Sequence, residues 1–168
     1  DLAGLRYRGV DAMSTPVTER TRDWYAELGI RPVINASATL TALGGSIMPP
    51  PVREAMTTAA TQFVDLRELQ AKVGERIAEL THNEAAYVSS GAAGGITLSV
   101  AACMTGTDPA LVTAFPDHAR FAKQELIIHR SQRNGYDYAA AMTGVRIIEI
   151  GGSIDELAAA INERTAAV

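Results

Sequence analysis

Apolar residues recur along this chain first at helical spacing and then in short unbroken runs, and the change of rhythm near residue 84 divides it. Residues 1–15, with Arg6, Arg8 and Gly9, show little periodicity and read as an irregular arm. Thr15-Pro16 opens a helix-compatible run to Leu28 that Gly29 closes, following the preference for Pro at helix starts and Gly just past helix ends. Arg31-Pro32-Val33-Ile34-Asn35 reads as extended, because the residue before proline is pushed out of the helical region. Residues 36–48, small and hydroxyl-rich without a period, read as a loop able to approach a ligand. Pro49-Pro50-Pro51 then stops and restarts the chain, and Val52, Ala55, Met56, Ala59, Ala60 and Phe63 follow at helical spacing. A second helix, Leu66 to Leu80, aligns Leu66, Leu69, Val73, Ile77 and Leu80 on one face, with its charges on a solvated face.

Beyond the polar turn at Thr81-His82-Asn83-Glu84 the pattern alternates. Ala85–Ser89 reads as a short buried strand, and 90–95 as a tight turn opening a helix from about Ala92 to Met104. After a connection over 105–116 come a strand at Leu126–His129, a short helix at Tyr136–Thr143 and a strand at Val145–Ile150. Ser153 with Glu156 forms a capping box for a helix through Arg164, and Ala166–Val168 begins another strand. Strands alternating with helices predict parallel pairing and an α/β sheet.

Composition changes this picture in three places. A 47% hydrophobic, 20% charged chain with a net charge of −4 is an ordinary globular one, without the basic excess of a nucleic-acid scaffold. There is no apolar run long enough for a membrane span and no signal-peptide pattern, and one cysteine cannot make an internal disulfide, which together suggest a cytoplasmic protein. Only Lys72 and Lys123 are lysines, so lysine chemistry has two candidates. The chain starts with Asp1 and stops as an apolar run opens, and so reads as a piece of a longer protein.

The candidate chemistry lies at two strand ends. Tyr87-Val-Ser-Ser-Gly-Ala-Ala-Gly-Gly95 brings small residues to a helix N-terminus, where unpaired N–H groups attract an anion such as a phosphate. It matches neither the Rossmann nor the P-loop spacing, and the alternative is that small residues let the helix pack closely on the sheet. His129-Arg-Ser-Gln-Arg-Asn-Gly-Tyr-Asp137 crowds polar groups after an apolar strand, either as a second part of a site or as a solvated loop. His82 and His118 lack partners at metal-ligand spacing, so no metal site is expected. Cys103 is expected on the buried face of its helix, and Met48, Met56, Met104 and Met142 are expected to pack.

Arg31-Pro-Val-Ile-Asn-Ala-Ser37, Leu43-Gly-Gly-Ser46, the run from Phe63 to Ala78, Ala85 to Ala93 and Arg133-Asn-Gly-Tyr-Asp137 together resemble the bacterial selenocysteine synthase-like family. These are fold type I pyridoxal-phosphate proteins that include L-seryl-tRNA(Sec) selenium transferase and D-glucosaminate-6-phosphate ammonia-lyases, and the resemblance covers about residues 24–168. It implies the first part of an aminotransferase-like three-layer α/β/α domain with mainly parallel strands. Residues 1–48 would be an N-terminal arm, helix and site-lining loop, and 49–168 the start of the large cofactor-binding domain.

By the same resemblance Ser89, Ser90, Gly91 and Ala92 hold the cofactor phosphate, and His129 lies against the pyridine ring. Asn35, Ser37 and Thr39 line the active-site mouth, and Arg133 and Asn134 are substrate contacts. The chain departs from the family pattern at Ala38 and at His82-Asn83, where glycine or smaller residues are expected. The family's Schiff-base lysine lies far downstream of the phosphate loop, whereas Lys72 precedes Gly91 and Lys123 stands 32 residues beyond it, so the resemblance implies that the catalytic lysine lies outside this chain and that the chain alone is inactive.

The implied activity is elimination or replacement beside an amino-bearing carbon, ammonia-lyase-like rather than tRNA-dependent selenium transfer. The implied partners are a small amino substrate, phosphorylated or not, and at least one further copy of the chain. Against these stands a non-catalytic phosphate-ligand-binding or oligomerisation protein that kept the fold.

Overall fold

A computed structural model describes residues 23–168. The described residues fall into two compact units, 23–62 and 63–168. The arm over 1–15 and the predicted helix start at Thr15-Pro16 lie outside the described residues.

In the first unit, Asp23 caps a helix, its carboxylate accepting from the backbone N–H groups of Tyr25 and Ala26 at 3.1 Å. The helix α1, Trp24–Glu27, is therefore shorter than the continuous run expected to Leu28. Asn35 folds residues 35–38 into a local turn, accepting from Ser37 N–H and donating to the Ala38 carbonyl, both at 2.8 Å. After a 3-10 turn at Thr41–Leu43 comes α2, Pro50–Ala59, with prolines where a helix needs no N–H donors. Met48 and Met56 are exposed here, so the packing expected of them is not seen.

Two non-glycine residues among those described have positive φ, Ala38 at 49° and His82 at 57°. These are the places where the family pattern led to an expectation of glycine. In this chain a larger residue occupies each left-handed position, at His82 as the C-cap of a helix.

The second unit opens with α3, Leu66–Thr81, whose N-cap Asp65 accepts from the N–H groups of Arg67 and Glu68. The solvated face holds Lys72–Glu75 and Arg76–Glu79 pairs. The buried residues of α3 are small: Gly74 and Ala78. A Cβ at Gly74 would overlap the Ala86 carbonyl, so the helix and the segment after it approach backbone to backbone.

Ala85–Ser89 is not a strand, which corrects the expectation. A strand is defined by its partner, and this segment has no backbone ladder among the described residues; it is held instead by Gln70, whose amide donates to the Val88 carbonyl at 3.1 Å.

The helices α4, Ala92–Thr105, and α5, Pro109–Val112, lead to β1, Glu125–His129. Then follow α6, Tyr138–Ala141, β2, Arg146–Ile150, α7, Ile154–Ala160, and β3, Thr165–Ala167. The fold is α/β: the sheet is wholly parallel in the order β2-β1-β3, with β1 central and His129 paired to Ile150 at its last rung. Two helices are shorter than expected. α7 stops at Ala160 rather than Arg164, because Asn162 builds a turn by donating to Thr165 Oγ1 and accepting from Arg164 N–H. α6 is flanked by turns instead of filling 136–143.

The core gathers Val100 and Met104 of α4 with Ala114, Phe121, Leu126, Ala140 and Val145. Thr97 ties α4 to α6 by donating to the Ala139 carbonyl at 2.6 Å. Cys103, expected inside, is exposed. The helix α4 is apolar on every side, so periodicity cannot choose its buried face; the i, i+4 pair Val100 and Met104 takes the core and leaves Cys103 beside it. Met104 packs as expected, but Met142 is 73% exposed.

At the opposite end of β1 from His129, the 3% exposed Glu125 accepts from Asn162, Arg146 and Arg164 and so ties the starts of all three strands together. The Asn162 hydrogen bond first, and then those of Arg146 and Arg164, hold its carboxyl down at about 2. Since the folded value lies below the ordinary one, the stability this contributes is present above the usual carboxylate range and lost as pH falls toward about 2. Denaturation midpoints measured across that range should fall steeply in the wild type and less steeply in Glu125→Gln. Parallel curves would show that the carboxylate does not carry the acid limb.

Candidate functional site

The turn Ser89–Gly91 aims the start of α4 at open space. Gly91 caps the helix with φ 135°, a conformation L side chains rarely adopt, and no side chain caps the first turn. Those N–H groups are therefore free to bind an anion. The two serines occupy room that glycines leave. A Cβ at Gly94 would lie 2.6 Å from Ser90 Oγ, and one at Gly95 3.2 Å from Ser89 Oγ. Ser89 Oγ also donates to the Gly91 carbonyl at 2.9 Å, fixing the turn. The result is a cradle of backbone donors with a hydroxyl at its rim, chemistry that fits a phosphate group.

Ser89 lines a cavity of about 480 Å³ with Tyr87, Leu98 and Ala102. A second cavity, of about 800 Å³, lies between α4 and the sheet and is lined by Ala92, Ile96, Leu126, His129 and Gln132 among others; Gly95 and Ser99 border both. The structure thus brings Ala92 and His129 to one cavity and Ser89 to its neighbour.

His129 ends β1, with its Nδ1 2.8 Å from the Gly151 carbonyl just past β2. Arg133 bonds to Asp137 and, at 3.0 Å, to Glu149, which also accepts from Arg130 at 2.7 Å. Arg130 and then Arg133 hold the Glu149 carboxyl below its ordinary value. Arg133 is thus a brace of its loop in this structure. Asn134 accepts from Tyr136 N–H at 2.8 Å and borders a cavity of about 220 Å³ with Gln132 and Asp137. Asn35, Ser37 and Thr39 belong to the first unit, where Asn35 and Ser37 form the turn described above.

Sequence reasoning missed Glu149, Gly151 and Gln132. Glu149 had a signal, an acid within the apolar strand Arg146–Ile150, opposite Ile128 in the register. The Gly151 carbonyl had none, since backbone acceptors look alike in a sequence. Neither lysine lines these cavities: Lys72 pairs with Glu75 on α3, and Lys123 precedes the far end of β1. Among the described residues no group of three or more His, Cys, Asp or Glu could hold a metal, and no helix is long and apolar enough to cross a membrane.

No family model matches the chain. It is 37% identical over 158 residues to D-glucosaminate-6-phosphate ammonia lyase of Salmonella typhimurium (strain 14028s / SGSC 2262), a match covering 88% of this chain and 42% of the relative. It is 35% identical over 154 residues to 5'-C-glycyluridine monooxygenase-decarboxylase of a Streptomyces species, covering 86% and 38%. A solved structure of D-glucosaminate-6-phosphate ammonia-lyase superposes with a TM-score of 0.80 at 37% identity, over 88% of this chain and 42% of that one. The chain therefore spans about two fifths of the length of the relatives it matches.

Proposed function

We propose, for a chain that belongs over most of its length to the D-glucosaminate-6-phosphate ammonia-lyase family, that it supplies the cofactor-anchoring part of a pyridoxal 5'-phosphate-dependent lyase. The observation that carries this reading is the uncapped start of α4, with open space at Gly91, beside the cavity that Ala92 and His129 border. The two relatives are named for different reactions, loss of ammonia and oxygenation with decarboxylation, which favours anchoring over either reaction as the role of this part.

In this reading the N–H groups of the first turn of α4 bind the phosphate, Gly91 and Ala92 keep the approach clear, and Ser89 and Ser90 offer hydroxyls. His129 lies against the ring, and Arg133 and Asn134 are proposed to face an amino-bearing substrate, with Arg133 held in place by Asp137 and Glu149; a substrate-lining role for Asn35, Ser37 and Thr39 is proposed from the resemblance alone. The bound cofactor would supply an electron-withdrawing ring that stabilises negative charge on the carbon beside the amino group. Proton removal is assigned to neither Lys72 nor Lys123. The setting proposed is a cytoplasmic oligomer, at least a homodimer, acting on an amino compound, phosphorylated or not.

The test is spectroscopic. Full-length protein purified with pyridoxal 5'-phosphate is expected to carry a visible absorption band that borohydride bleaches. Protein that takes up the cofactor without such a band, or takes up none, would sink the proposal and leave a non-catalytic relative of the same fold.

A further inference from the structure

We propose that the Gly151 carbonyl fixes the neutral imidazole of His129 as its Nδ1–H tautomer, so that this residue meets a ligand through Nε2 as a hydrogen-bond acceptor. The starting point is the 2.8 Å separation of His129 Nδ1 from Gly151 O. A carbonyl oxygen has no proton to give, so the hydrogen bond exists only if Nδ1 carries the hydrogen. In a neutral ring Nε2 is then the bare nitrogen. Among the described residues Nε2 makes no hydrogen bond, and His129 borders the larger cavity with Ala92 and Gln132.

The register explains why that carbonyl is available. The parallel ladder ends at His129 and Ile150, so Gly151 lies one residue beyond the last rung. The Glu156 carboxylate lies close behind it: a Cβ at Gly151 would overlap that group, and the Glu156 N–H donates to Ser153 Oγ at 3.1 Å at the start of α7. The Gly151 carbonyl, one residue past the ladder, faces the imidazole, which makes Gly151 a positioning residue.

The consequence is a division of labour at the end of the sheet. A neutral acceptor nitrogen favours a hydroxyl or a protonated nitrogen and disfavours a carboxylate or phosphate oxygen, while the start of α4 favours the anion. The inference rests on the cofactor reading only for the identity of the group that Nε2 meets.

The test is nitrogen-15 NMR of the histidine rings in the full-length protein, at a pH where the imidazole is neutral, with His129→Asn identifying the signal. A protonated Nδ1 and a pyridine-like Nε2 are expected; an Nε2–H ring, or an even mixture, overturns the proposal. Asparagine puts an amide donor where Nδ1 sits and phenylalanine does not, so His129→Asn should keep more of the wild-type melting temperature than His129→Phe. Equal losses would count against the lock. Pyridoxal 5'-phosphate is then added: a shift of the Nε2 signal supports the acceptor role, and bound cofactor with an unmoved Nε2 overturns it. Failure to take up the cofactor, with the Nδ1–H tautomer present, overturns the cofactor reading and leaves the lock supported.

Discussion

The double variant Ser90→Ala, Gly91→Val is expected to bind pyridoxal 5'-phosphate about 10- to 100-fold more weakly than the wild type. Gly91 holds φ 135°, which valine rarely adopts, so the backbone there must rotate and carry the first N–H groups of α4 out of line. A hydrogen bond to a charged group is worth about 1.5–3 kcal/mol, and each 1.4 kcal/mol is tenfold in affinity, which sets the range. No neighbour lies within 4 Å of a Cβ at Gly91, so the loss would come from backbone geometry rather than from a collision. Equilibrium dialysis of the full-length protein measures it, with circular dichroism to check the fold and Ser90→Ala alone as the milder variant. Unchanged affinity would return the glycines to the alternative role, close packing of the helix.

The helices were readable where a side chain declares an end. Ser153 accepts from the backbone where its capping box predicted a start, Asp65 does so just before the start that apolar spacing predicted at Leu66, and prolines open α2. The strands β1 and β2 were readable because a run such as Leu126–Ile128 has a buried partner on one side in a parallel sheet. Ala85–Ser89 is likewise a short, mostly apolar run but has no partner among the described residues, and composition does not reveal pairing. Both strand-end clusters were visible as polar or small residues after apolar runs, and the structure brings Ala92 of one and His129 of the other to a common cavity. What no local pattern carried was the state of Arg133. Its partner Glu149 lies 16 residues away on β2, and only the parallel register sets that acid beside the loop. Substrate-facing and structural arginines look alike until the acids around them are located.

Gly144→Ala should be among the most damaging single substitutions in the second unit, costing about 2–5 kcal/mol of stability. Two causes add. Gly144 has φ +78°, and a left-handed residue with a Cβ costs roughly 1–2 kcal/mol. The new methyl would also overlap the imidazole of His118, and overpacking typically costs about 1–3 kcal/mol. His118 has little room to yield: its Nδ1 is buried without a hydrogen-bond partner, and its ring lies 6.4 Å, centroid to centroid, from that of the core residue Phe121. A double-mutant cycle with His118→Ala separates the causes, because removing the ring abolishes the collision and leaves the backbone cost. Measured by denaturant unfolding, Gly144→Ala should then cost at least about 1 kcal/mol less in the His118→Ala background than in the wild type. Equal costs in the two backgrounds would assign the whole effect to the backbone and remove His118 from the account of why this turn requires glycine.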